Sequence, residues 1–139
     1  MGAAIAVDSS AIIAIIRGEP EAPGFTEIID RSESAICSMV TFAESYMVAT
    51  GRFFGTPPHI HLAVIRSLGI ETKPIDDGQA LLAADAFFRF GKGRHPAKLN
   101  MGDCFSYALA KSLDAPLLYK GDDFGRTDIA SALTREDSR

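Results

Sequence analysis

Cysteine is scarce in this chain of 139 residues: only Cys37 and Cys104 occur, without CxxC spacing. Neither a disulfide framework nor a thiolate zinc site is therefore indicated. Both cysteines sit among apolar neighbours, where small core residues are expected rather than nucleophiles. Long apolar runs are missing too, and none approaches the roughly 20 residues needed to span a bilayer. Met1 to Ile16 has the outline of a weak signal peptide, but it lacks a basic opening, and Asp8, Ser9 and Ser10 interrupt it. A strand followed by a helix is expected there, with no membrane association and a cytoplasmic setting. The chain also lacks a basic surplus, its formal net charge being −4. A general nucleic-acid binder would usually be basic, so any phosphate-holding surface has to be local. Clustered carboxylates that bind metal would themselves contribute to an acidic total. Core-forming material is plentiful, with 47% hydrophobic and 23% charged residues. That composition can bury a core and stay soluble, and the length suits one compact domain.

Strand and helix signals alternate along the chain. Ala3 to Val7 is a short apolar run ending at Asp8, consistent with a buried strand. Ser9 or Ser10 is expected to cap the helix Ala11 to Ile16, which stops near Gly18 and Pro20. A second helix is expected over roughly Ala22 to Asp30, and a second strand over Ala35 to Met39. Thr41 is the expected cap of a helix running to about Phe53, followed by a helix around Ile60 to Leu68. Ile70 to Ile75 reads as an edge strand because of Pro74, and Asp76 and Asp77 open a long helix. Gly91 to Asn100 is a polar loop, Gly102 to Leu113 a helix, Pro116 to Tyr119 a strand, and Ile129 to Leu133 a candidate last strand. We expect one domain over residues 1–133 and a polar tail over 134–139. The alternation, without linker or repeat, indicates a three-layer α/β/α domain with a central, mostly parallel sheet. In such sheets, sites gather beyond the carboxyl ends of the strands.

Acids fall at those ends. Asp8 closes the first strand, Glu44 lies early in the helix after the second, and Asp103 sits in the first turn of a helix. Asp122 and Asp123 follow the strand Leu117 to Tyr119. Several carboxylates in one cleft repel unless cations neutralise them. Oxygen-only ligation selects hard ions such as Mg²⁺ or Mn²⁺. Each acid also has a plainer explanation. Asp103 alone reads as a helix N-terminal acid complementing the dipole, Asp122 and Asp123 as turn residues, and Glu44 as solvent-exposed. Asp8 is the hardest to explain away, since an acid closing an apolar strand is seldom needed for folding. On spacing alone, a shared site and these separate roles both stand open.

Several known patterns are absent. Gly91-Lys92-Gly93 is not a P-loop, because GxxxxGK[ST] does not occur. Ser10 removes the DxD of haloacid-type phosphatases, and the serines after Asp8 remove the paired acids of receiver domains. His59 and His61 would face different sides of a helix. Of the phenylalanines Phe53, Phe54, Phe87, Phe88 and Phe90, adjacent pairs cannot all face inward.

Across nearly its whole length the chain resembles the PIN domain, and more closely the VapC toxins of bacterial toxin–antitoxin pairs. The segments that carry the resemblance are VDSSAIIAIIRGEPE, the TFAE that places Glu44, GKGRHPAKLNMGDCFSYALAK around Asp103, and LLYKGDDFGRTDI. It implies endonucleolytic cleavage of RNA by water activated at Mg²⁺ or Mn²⁺. Asp8, Glu44 and Asp103 match the core metal-binding acids. The fourth acid falls in GDDF, where Asp122 is chosen and Asp123 is the alternative register. Ser9 and Ser10 match small hydroxyl positions beside the first acid. With the resemblance, Lys92, Arg94 and Lys98 are expected to hold RNA phosphates; without it they are an ordinary solvated loop. A homodimer and a cognate VapB-type antitoxin are implied as partners. The alternative is a catalytically inactive PIN-like module that binds RNA or protein.

Overall fold

A computed structural model describes residues 3–50 and 55–133. Four strands, β1 (Ala4–Val7), β2 (Ser34–Ser38), β3 (Ile70–Lys73) and β4 (Leu117–Leu118), form one parallel sheet in the order β3-β2-β1-β4. Six helices accompany them among the described residues: α1 (Ser9–Ile16), α2 (Ala22–Arg31), α3 (Met39–Thr50), α4 (Pro58–Ser67), α5 (Asp77–Phe90) and α6 (Met101–Leu113). A 3-10 turn covers Phe124–Arg126.

The pleat explains the three layers. Along β1, Ile5 and Val7 point into one core with Ile12, Phe25, Ile29 and Ile65, while Ala6 points into a second with Phe90, Tyr107 and Leu109. Leu117 and Leu118 divide the same way. Strands buried on both faces must be continuously apolar, which is why β1 and β4 show no polar alternation. Each fully buried aliphatic side chain, such as Ile12 or Leu117, contributes roughly 1.5–3 kcal/mol. Helix α5 presents Gln79, Ala83, Ala86 and Phe90 inward at helical spacing. Its Leu81, Phe87 and Phe88 are exposed while Phe90 is buried, so the adjacent aromatics of this helix do not all face inward. Phe53 and Phe54 fall outside the described residues, as does the tail expected over 134–139.

Three local expectations are corrected. The cap of α1 is Asp8 itself: its carboxylate accepts from the Ser10 backbone N–H at 3.0 Å, and both serines belong to the first turn. At the start of α3, Ser38 Oγ accepts from Val40 N–H at 3.0 Å, while Thr41 is fully buried. The segment Ile129 to Leu133 runs beside β4 but makes only the single bridge Leu117↔Ser131, because β4 is two residues long. The expected edge strand is borne out, since β3 closes one side of the sheet.

The order in which strands are added reverses at the centre of this parallel sheet. From β1 the order runs outward to β2 and β3 on one side and to β4 on the other. The crevice beyond the carboxyl ends of β1 and β4 is the switch point at which open α/β sheets bind ligands. Asp8 follows β1 directly, and Asp122 and Asp123 follow β4.

Candidate metal centre

Asp8 is only 2% exposed, and its carboxylate is held by hydrogen-bond donors. Ser10 approaches one carboxylate oxygen twice, from its backbone N–H at 3.0 Å and its hydroxyl at 2.6 Å. Ser106 donates to the other oxygen at 2.5 Å. Since that hydroxyl has one proton, the 3.2 Å contact between Thr41 Oγ1 and Ser106 Oγ has Thr41 as donor. A chain Thr41→Ser106→Asp8 thus fixes the carboxylate from beneath. Ser10 Oγ also accepts from Lys120 N–H at 2.9 Å, tying α1 to the end of β4.

Glu44 and Asp103 are placed by two further helices. The Ser9 hydroxyl donates to Glu44 Oε1 at 2.7 Å. Asp103 and Asn100 form a capping box at the start of α6, with Asp103 Oδ2 accepting from Asn100 N–H at 3.0 Å and Asn100 Oδ1 accepting from Asp103 N–H at 2.9 Å. Its plainer role as a helix-capping acid is therefore real, and it coexists with membership of the cluster. The amino ends of α1 and α6 bring their partial positive charge to these acids.

Electrostatics tie the acids together. Burial pushes Asp103 up to about 7; the Asn100 backbone hydrogen bond opposes this, and the charges of Asp8, Glu44 and Asp123 add to it. Burial likewise raises Glu44, against the Ser9 hydrogen bond and with the charge of Asp8. Among the described residues, none of the ion pairs reaches Asp8, Glu44 or Asp103. Lys120, the nearest cation in sequence to the end of β4, instead bonds Glu19 at 3.1 Å and Glu21 at 3.3 Å. The result is a pocket of hard oxygen donors with uncompensated negative charge, a donor set that fits Mg²⁺ or Mn²⁺. Among the described residues, no three acidic, histidine or cysteine side chains close into a finished cage. The acids share a field without yet converging on one point.

With that geometry, comparison with known proteins is decisive. The family profile for the PIN domain matches residues 5–130. Ribonuclease VapC42 of Mycobacterium tuberculosis is 42% identical over 132 residues, covering 92% of this chain and 98% of that one. The chain belongs to the PIN-domain family, among the VapC ribonucleases. Solved structures share its fold. Mycobacterium tuberculosis VapC20, described as a Sarcin-Ricin loop cleaving toxin, has a TM-score of 0.69 at 14% identity, covering 91% of this chain and 96% of that one. A chain of a toxin–antitoxin complex from Klebsiella pneumoniae has a TM-score of 0.68 at 17% identity, with 93% and 98% covered.

In this PIN domain the residues singled out in sequence fall into two groups. Asp8, Ser9, Ser10, Glu44 and Asp103 share one neighbourhood, the serines through hydrogen bonds to Asp8 and Glu44 and the acids through their charges. In GDDF, both acids are exposed and precede the 3-10 turn, Asp123 as its cap residue, and the charge of Asp123 acts on Asp103. Lys92, Arg94 and Lys98 are all exposed on a pinned loop that leads into α6. Leu99 N–H bonds Phe90 O at 3.0 Å, and Lys92 N–H bonds Leu99 O at 2.9 Å. His95 is structural, its Nδ1 accepting from Ala97 N–H at 3.0 Å. Arg126 reaches the same loop, donating to Pro96 O at 3.1 Å. His61 is buried 2.9 Å from Ser45 Oγ while His59 is exposed, so the two histidines do face different sides. Burial pushes Cys37 up to about 12 and, joined by the charge of Asp103, Cys104 up to about 11, which suits core thiols.

Sequence reasoning missed Ser106, Thr41 and Asn100. Two of these left a local signal. Ser106 stands three residues after Asp103, on the same helix face. Asn100 stands three before it, the spacing of a capping box. Thr41 left none, because its partner is 65 positions away.

Proposed function

We propose that this PIN domain is the toxin ribonuclease of a toxin–antitoxin pair, cleaving RNA endonucleolytically with Mg²⁺ or Mn²⁺ held by Asp8, Glu44, Asp103 and one acid of GDDF. The observation that carries this is the uncompensated carboxylate cluster at the sheet's switch point. For the fourth position the electrostatic coupling to Asp103 favours Asp123 over the Asp122 register. When bound, a divalent cation lowers the pKa of water and stabilises the leaving oxygen of a phosphodiester. The protein's own part is orientation. Ser106 and Ser10 hold the Asp8 carboxylate, Ser9 holds Glu44, and Asn100 holds Asp103, so the donors lose little freedom on ligation. Lys92, Arg94 and Lys98 meet RNA phosphates beside Asp103 and position the strand without reading its sequence.

The name of the 42% identical relative supports the ribonuclease assignment. The description of the Klebsiella pneumoniae neighbour as a toxin–antitoxin complex is in keeping with an antitoxin partner, which the resemblance makes VapB-type. A homodimer is in keeping with the exposed Leu81, Phe87, Phe88 and Met101, of which Phe87 and Met101 line an apolar groove of about 330 Å³ between α5 and α6. The functional domain extends over residues 1–133, just beyond the family match. The test is incubation of total RNA with purified, antitoxin-free protein in Mg²⁺, in Mn²⁺ and in chelator, beside Asp103→Ala. Discrete metal-dependent products absent from the variant are expected. No cleavage by folded, metal-loaded protein would overturn the enzyme in favour of a module that only binds.

A further inference from the structure

Gly102 is the second residue of α6, buried, and its φ lies outside the left-handed region. Backbone conformation therefore gives no reason for glycine here, and alanine is the better helix former. Space does give one. A Cβ at this position would fall inside 3.0 Å of Cδ and both carboxylate oxygens of Glu44. Among the described glycines, only Gly91 is comparably crowded, and there the obstacle is the Phe87 backbone and ring. At Gly102 the obstacle is the end of one flexible side chain, the one proposed to hold metal. Opposite, Ser9 donates to the same carboxylate at 2.7 Å.

We propose that Gly102 is a positioning residue: its bare Cα is the floor of a slot, walled by the Ser9 hydroxyl, that seats the Glu44 carboxylate beside Asp103. The inference rests on the metal-binding role proposed above for Glu44, and its basis is steric. Alanine at this position leaves the helix intact and swings the glutamate out of the slot, because a flexible carboxylate yields more easily than a helix backbone. Loss of the slot is thus a loss of ligand placement, separate from loss of fold.

The experiment compares wild type, Gly102→Ala, Glu44→Ala and the double variant as full-length protein, reading Mn²⁺ affinity by titration and thermal stability without metal. Gly102→Ala is expected to unfold at or near the wild-type temperature while binding Mn²⁺ at least ~10-fold more weakly, the scale of losing a group that orients a metal ligand. In the Glu44→Ala background the same substitution is expected to change affinity by less than ~2-fold, because sites acting through one group are not additive. Equal losses in both backgrounds would overturn the slot, as would unchanged affinity in Gly102→Ala. A crystal structure of metal-free Gly102→Ala with the Glu44–Ser9 hydrogen bond intact would overturn it without reference to metal or RNA. Wild type that binds Mn²⁺ but cuts no RNA would sink the proposed activity and leave the slot standing.

Discussion

Helix α6 touches two aspartates in opposite circumstances. Asp103, in its first turn, is raised by burial and, despite the Asn100 backbone bond, by the charges of three neighbouring acids. Asp128 lies beside the later part of the helix. Partial burial pulls it upward, but the Tyr107 hydroxyl at 2.5 Å, Lys111 at 2.9 Å and the charge of Arg89 take it below its ordinary value. One carboxylate is balanced by the protein's own cations and serves to staple the segment after GDDF to α6. The other is kept unbalanced in a half-buried place, at a cost in stability that folding alone does not explain. Groups held this way are where binding or chemistry is concentrated.

The largest expected effect separates these two residues outright. Asp103→Asn keeps the capping geometry, so metal-dependent RNA cleavage should fall by more than ~100-fold, beyond the loss of a merely orienting group. Thermal unfolding of the metal-free protein at pH 8 should stay level or rise, because an unfavourable buried charge is gone. Asp128→Ala should do the reverse, keeping cleavage and lowering stability by about 1 kcal/mol, or ~3–5 °C for a chain of this size. Matching effects in the two variants would erase the distinction.

Next in size is the hydroxyl beneath Asp8. Ser106→Ala removes a donor from a buried carboxylate, a loss of about 1.5–3 kcal/mol, with cleavage reduced ~10–100-fold. Denaturant unfolding and initial rates on one RNA would measure both; unchanged stability would show that Asp8 finds another donor.

Protonation distinguishes the same pair with opposite signs. In the metal-free protein, Asp103 keeps its proton up to about pH 7, whereas the unfolded chain loses it near 3.8. Its contribution is therefore complete below 3.8 and is lost as pH rises through about 7. Asp128, lowered from 3.8, contributes above that value and loses its contribution as acid carries pH down through its folded pKa. Metal-free stability should thus decline from mildly acidic to neutral pH, and Asp103→Asn should flatten that decline. Saturating Mn²⁺ should reverse it, since ligation requires the carboxylate. A decline that persists in Asp103→Asn would assign it to another group.

The smallest effect concerns the exposed loop. Lys98→Ala should weaken RNA binding in chelator a few-fold and reduce the slope of log affinity against log salt by about 0.7, one phosphate contact on a single strand. An unchanged slope would return Lys98 to the solvated surface.

The acids were legible because each follows a local signal. Asp8 ends an apolar strand, Asp103 opens a periodic helix, and Asp122 and Asp123 follow the last strand run. Their partners were less legible. Ser106 reads as an ordinary helix serine until α6 packs beside β1, and Thr41 reads as a cap until it is found buried beneath Ser106. GDDF offers two acids in adjacent registers ahead of the 3-10 turn, and no local rule says which of them will lie nearer Asp103. Leu81, Phe87 and Phe88 share α5 with core positions at helical spacing, and only the packing of α6 decides which stripe turns inward.

By itself, then, the sequence determined the alternation of strands and helices, the parallel sheet and the delivery of acids to its carboxyl edge. Those follow from periodicity and helix starts that act over a few residues. Tertiary structure alone decided which hydroxyl holds which carboxylate and which side chain lies against the bare Cα of Gly102. The contacts responsible join positions as far apart as 35 residues for Ser9 with Glu44 and 98 for Asp8 with Ser106. Nothing local to either member of such a pair encodes the other, because only the packed sheet brings them within a hydrogen bond.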